Sequence, residues 1–200
     1  MDSFEKSLPP TQGFTLFYGH TKGPDRVFSN FYPSEFKDPS LYPDLEVLAR
    51  YRDSEGAIVF QHVEQYMHAL KAIIFKDFDT LDKIMVQGSD QATSKRLGRA
   101  VSNFDEEVWG SVARQVVARG CLLKFQQSEE LRTAMEKTGE TALVECAPRD
   151  TRWGIGLARD NPRALQPGKW RGTNWLGQSL IRARLAMETR EDLPLPDLPS

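Results

Sequence analysis

The stretch Val63-Glu64-Gln65-Tyr66-Met67-His68-Ala69-Leu70-Lys71-Ala72 decides how this chain is read. Val63, Tyr66, Met67, Leu70, Ile73 and Ile74 recur at the three-and-four spacing of a helix with one apolar face. At about 100° per residue, seven steps return to within roughly 20° of the start, so Glu64 and Lys71 project from the same side, about 10 Å apart. A surface ion pair would use a spacing of three or four. The pair is therefore read as converging on a third group, against the competing reading of ordinary charges flanking an apolar stripe. His68, four residues after Glu64, is either a local acid or base or a helix-surface histidine.

Outward from this helix, the pattern predicts an early strand at 14–18 and a Gly- and Pro-punctuated loop carrying Ser29-Asn30-Phe31-Tyr32. Alternating Leu45, Val47, Ala49 and Tyr51, then Asp53-Ser54-Glu55-Gly56, then 57–60, predict a hairpin leading into the Glu64 helix. Helices are expected over 62–76, 78–86, 89–101, 105–126, 128–138 and 175–188, with Ser89, Asp105, Ser128 and Asn174 as N-caps and Gly139 as a stop. A short strand is expected at 142–146. The fold class is thus a compact, predominantly helical α+β domain with a small hairpin or sheet. It spans 13–188, between tails at 1–12 and 189–200 that lack periodic apolar patterning and are expected to be flexible.

Two hundred residues, 40% of them hydrophobic, suit one domain with a substantial core. The absence of a signal-like or membrane-spanning apolar run predicts an intracellular protein, cytoplasmic or nuclear. Cys121 and Cys146 sit in apolar surroundings and read as buried thiols. His20, His62 and His68 lack metal-ligand spacing, and no phosphate-binding Gly-x-x-x-x-Gly-Lys loop or Gly-x-Ser-x-Gly elbow occurs, so neither a metal nor a cofactor is expected. A net charge of −2 excludes binding of nucleic acid by bulk positive charge. Locally, however, six basic residues face two acids between Arg149 and Arg171, and Lys95-Arg96-Leu97-Gly98-Arg99 forms a second basic knot. Both are read as phosphate sites or as solvated charge.

Phe28-Ser29-Asn30-Phe31, Val63-Glu64-Gln65-Tyr66 with Lys71, Leu97-Gly98-Arg99, Asp150-Thr151-Arg152-Trp153-Gly154 and Gly172-Thr173-Asn174-Trp175-Leu176-Gly177 occur in that order. In this the chain resembles the NADAR, or YbiA-like, family from about Phe14 to Leu185. The resemblance implies an N-glycosidase acting on ribose attached to a nitrogenous base or amine. Two substrate classes come with it. One is ADP-ribose on guanine in DNA, RNA or nucleotides, and the other is the phosphorylated pyrimidine intermediates of riboflavin synthesis. No membrane or obligate protein partner is implied.

The residues suit that chemistry. Breaking a ribosyl C1–N bond builds positive charge on the sugar, which a carboxylate from Glu64 or Asp150 would stabilise. Lys71 could attack C1 only as the neutral amine, which near neutral pH is about a few molecules in ten thousand unless burial lowers its pKa. An electrostatic role for Lys71 is the alternative. Phe31 and Trp153 could stack on a base, and Asn30 could bond a base edge or ribose. Arg99 suits bidentate phosphate binding, and Gly154 would let the backbone approach a phosphate. Asn174 either caps the last helix or touches substrate. The expected activity is removal of ADP-ribose from guanine. Riboflavin-intermediate cleavage and a non-catalytic ADP-ribose reader are the alternatives.

Overall fold

The computed structural model describes residues 3–6, 8–87 and 90–198. Its organising element is the Glu64 helix. The elements are α1 (Ser3–Lys6), β1 (Phe14–Phe17), β2 (Phe36–Asp38), β3 (Ile58–Phe60), α2 (Val63–Ile74), α3 (Phe78–Gln87), α4 (Gln91–Arg99), α5 (Glu106–Gln126), α6 (Glu129–Glu136), β4 (Ala142–Glu145) and α7 (Trp175–Thr189). The helix-dominated α+β architecture is the one expected from the sequence. Every residue of α2 except Lys71 is buried, because α3, α4 and α5 all pack against it. The apolar stripe therefore understates the burial: α2 is a central helix, and Glu64 and His68 lie inside the molecule rather than on its surface.

Capping follows local chemistry. His62 starts α2, its Nδ1 accepting from the Gln65 amide at 3.0 Å. Asp105 accepts from the amides of Glu107 and Val108, and Ser128 from Leu131. Asp90 caps α4 by accepting from Thr93 at 2.8 Å, whereas the expected cap Ser89 lies outside the described residues. Asn174 does not cap α7: it sits at φ 55° with no side-chain cap bond.

The sheets are two separate strand pairs. β1 and β4 run parallel with Phe14 opposite Ala142 and Phe17 opposite Glu145, so a pairing across most of the chain sets the position of Glu145. β3 pairs antiparallel with β2, Phe36 opposite Phe60. This corrects the expected hairpin. Residues 46–51 form a 3-10 helical turn, in which the three-residue spacing of Leu45, Leu48 and Tyr51 outweighs the period-two alternation and buries Leu48. The Arg52 guanidinium fastens that turn by donating to the carbonyls of Leu41, Tyr42 and Gly56.

A buried polar cluster locks the strands to the helices. The Arg119 guanidinium on α5 grips Asp38 on β2 through two bonds of 3.1 and 2.9 Å, and the Tyr66 hydroxyl of α2 donates to the same carboxylate at 2.9 Å. Removing Asp38 or Arg119 would leave the other charge buried without its main partner, at a cost of about 3–5 kcal/mol. Around it lies one large core that includes Phe17, Phe28, Phe36, Phe60, Leu70, Phe125 and Leu180. Each such side chain contributes roughly 1.5–3 kcal/mol. Cys121 and Cys146 are buried free thiols, and burial pushes them up to about 12 and about 11.

The terminal segments, expected to be loose, make definite contacts. Phe4 packs on the core, Leu193 is buried, the Tyr42 hydroxyl donates to the Pro196 carbonyl at 2.8 Å, and Gln115 donates to that of Pro194 at 2.9 Å. Among the described residues no helix is long and apolar enough to cross a membrane.

Candidate active site

α2 brings Glu64, His68 and Lys71 to the side that α4 covers. Glu64 Oε1 lies 3.1 Å from His68 Nε2, and both side chains are about nine-tenths buried. The Glu64 amide donates to the Asn30 carbonyl at 3.0 Å, which ties the Ser29–Phe31 loop to the first turn of the helix. Asn30 is itself buried, and its side-chain oxygen has no hydrogen-bond partner among the described residues. The His68 ring bears directly on Gly98 of α4: a Cβ there would come within 2.0 Å of Nδ1. Glycine at this position is thus what allows α4 to close on α2.

Lys71 is the one residue of α2 that is only partly buried. Its amine donates to the Gly98 carbonyl at 3.0 Å and stands 3.9 Å from the centre of the Phe104 ring. Burial pulls its pKa below the usual lysine value; Glu106 opposes that shift and Arg152 reinforces it. Lowering favours the neutral amine, the form a nucleophile needs. Phe104 was not evident from the sequence as a site residue, although it is a large aromatic side chain left 40% exposed.

The end of β4 and the loop after it lie near this face of α2, since Glu64 acts on Glu145 and Arg152 on Lys71. Asp150 Oδ1 accepts from the amides of Arg152 and Trp153, at 2.9 and 2.8 Å, so this carboxylate shapes the loop. Glu145 is the carboxylate that sequence reasoning missed. It is buried, its Oε2 has no partner among the described residues, and its pKa is pushed up to about 8 by burial first, then by Asp150 and Glu64. The sequence did hold a signal: a lone glutamate in the otherwise apolar run Ala142-Leu143-Val144-Glu145-Cys146. A buried acid with a perturbed pKa beside other carboxylates is a common mark of a functional site. Asn174 holds it in place, with Oδ1 accepting from the Glu145 amide at 3.0 Å and Nδ2 donating to the Leu143 carbonyl at 2.9 Å.

The remaining sequence candidates divide. Phe31 lies on the rim, with the His20 ring 6.0 Å away and the Lys95 amine 5.6 Å from its centre. Arg99 is exposed on the same helix as Lys95. Trp153 instead packs edge-on against Trp175 at 5.8 Å, which favours a structural role. Gly154 is needed for packing, since a Cβ would lie 2.8 Å from Ala147 Cβ and 2.9 Å from the Glu145 carbonyl. In the basic loop, Arg152 pairs with Glu106 and Arg159 with Asp25, whereas Arg149, Arg163, Lys169 and Arg171 are exposed. A cleft of about 650 Å³ bordered by Asp25, Phe28, Glu130 and Lys137 holds none of the candidate site residues, and none of its side chains is both buried and charged. Among the described residues no group of three His, Cys, Asp or Glu side chains is arranged to hold a metal ion.

The close fit of α4 on α2 carries a prediction. Gly98→Ala should displace His68 from Glu64 and cost about 1–3 kcal/mol, lowering Tm by roughly 3–10 °C. A thermal melt unchanged from that of the unmodified protein would show that the helices are not in such contact.

The scaffold is a mostly helical α+β domain in which one enclosed helix carries a buried acid, close enough to a second buried acid at the end of a strand to raise its pKa, and a half-buried amine two turns further on. That arrangement is suited to nucleophilic and acid–base chemistry at one small reacting group. The NADAR domain profile matches residues 16–188, and the chain belongs to the NADAR family. It is 35% identical to protein irg-1 of Caenorhabditis elegans, over 91% of this chain and 83% of the relative. It is 34% identical to N-glycosidase R617 of Acanthamoeba polyphaga mimivirus, over 87% and 96%. The solution structure of Escherichia coli YbiA is similar with a TM-score of 0.63, at 27% identity, covering 92% of this chain and 91% of that one.

Proposed function

We propose that the protein is an N-glycosidase that removes ADP-ribose from guanine bases, with Glu64 and Lys71 as its catalytic pair. The observation that carries this reading is the amine of Lys71, half-buried beside Phe104 with its pKa lowered by that burial, on the same side of α2 as a buried carboxylate. Relatives named N-glycosidase supply the bond type.

In the proposed reaction Glu64 stabilises the positive charge that grows on the ribose as the C1–N bond opens. Lys71 adds to C1, the adduct opens to an imine, and water then releases the sugar. Asn30, with its free buried oxygen, and Phe31 on the rim would hold the ribose or base. Asp150 keeps the loop beside them in shape, and Asn174 positions Glu145. The exposed cations Arg99, Arg149, Arg163, Lys169 and Arg171 favour a pyrophosphate-bearing substrate over a monophosphate. Trp153 and Gly154 support that loop rather than touch the ligand.

Incubation with a guanine-ADP-ribosylated oligonucleotide, in parallel with the phosphorylated pyrimidine intermediates of riboflavin synthesis, tests this. Free ADP-ribose and an unmodified oligonucleotide are expected from the first. Release only from the pyrimidines would move the substrate to that class. Tight binding of ADP-ribose without release from either would leave a reader, not an enzyme.

A further inference from the structure

The geometry points to Glu145 as the general acid that protonates the departing base, a role that rests on the glycosidase reading above. Three features of its setting converge. Its strand is fixed from both sides, by parallel pairing with β1 and by the Asn174 side chain, so the backbone that carries the carboxyl group is held in place. Its Oε2 is buried and unpartnered among the described residues, in a residue that is more than nine-tenths enclosed. A buried polar atom left without a partner is costly and suits a site where a ligand completes the bond.

The charged neighbours make the protonated form the stable one. Glu64 faces it from α2 and Asp150 from the following loop, and Cys146 adjoins it with Arg159 acting on that thiol. Two negative groups and burial together raise it to about 8, from a usual value of 4.5. The acid is therefore a proton donor below about 8, and the donor is lost as pH rises through that value. The site then holds two carboxyl groups with different tasks: Glu64 meets the charge on the sugar and Glu145 serves the leaving group. Separating two acids by environment in this way is a recurrent solution in glycoside cleavage.

The step balances. The C1–N bond breaks with its electron pair passing to the base nitrogen, which takes the proton from Glu145 as Lys71 bonds to C1. Glu145, now a carboxylate, takes a proton from the water that later adds to C1, and the bond between C1 and the Lys71 nitrogen breaks with its electron pair returning to the amine. Enzyme and acid are restored, and one water is consumed for each base released.

Glu145→Gln keeps the shape and the backbone bonds but has no proton to give. On a guanine conjugate, turnover should fall by about 10²- to 10⁴-fold. On an ADP-ribosyl p-nitrophenol, whose phenolate leaves without protonation, it should fall by less than about threefold, because no acid is needed. Equal losses on both substrates, or no loss on either, would overturn the assignment. A wild-type protein inactive on both would instead remove the reading of the protein as an ADP-ribosyl glycosidase, on which the assignment rests. Carbon-13 NMR of labelled glutamate gives an independent check that needs no turnover. One carboxyl signal should titrate near 8 in the wild type and be missing from Glu145→Gln. If every glutamate titrates below neutrality, Glu145 is not the acid.

Discussion

Lys71→Arg is expected to give a folded protein that still binds ADP-ribose and turns over nothing measurable, a loss on the order of 10⁴-fold or more. The guanidinium keeps the positive charge and can remain over Phe104, where the amine now stands 3.9 Å from the ring centre. It cannot become a neutral nucleophile at any accessible pH. Borohydride added during turnover should trap a wild-type adduct heavier by the reduced ADP-ribose, and Lys71→Ala should lose both the adduct and the product. The wild-type rate on substrates that need no acid should rise with pH as Lys71 loses its proton, and level off below the usual lysine value because burial favours the neutral form. An active Lys71→Arg protein would sink the covalent route and leave Lys71 as an electrostatic contact.

Glu64→Gln is expected to cut turnover by about 10²- to 10⁴-fold with little change in affinity for product, since the charge it meets exists mainly in the transition state. The substitution preserves the helix, because the Glu64 amide, not its side chain, holds the Asn30 carbonyl. It does weaken the pairing with His68, which contacts Oε1 at 3.1 Å. A kcat/KM series with the Gln and Asp variants separates the roles. A structural Glu64 would lower Tm and spare kcat, whereas the proposed role lowers kcat and leaves Tm near that of the wild type.

The helices were legible because their signals are local. The spacing of Val63, Tyr66, Met67 and Leu70, the caps at Asp105 and Ser128, and the long apolar run of α5 each lie within a few turns of chain. The hairpin was misassigned for a related reason. Leu45 to Tyr51 satisfies both a period of two and a period of three, and only the buried seat for Leu48 chooses between them. The partner strand of β3, at 36–38, is too short for a periodic signal.

By itself, then, the sequence determined which charged residues of α2 lie on one side, since a carboxylate and an amine seven positions apart must share a helix face. It also determined the family, through short motifs in a fixed order. Tertiary structure alone decided what those residues experience. Packing of α3, α4 and α5 around α2 buried Glu64 and His68, which an amphipathic stripe places at a surface. Closure of α4 through Gly98 brought a carbonyl to Lys71. The parallel pairing of β1 with β4, joining residues on opposite sides of most of the chain, brought Glu145 to Glu64 and Asp150. Proton affinity depends on solvent exclusion and on charges gathered from distant segments, and neither quantity is written in local spacing.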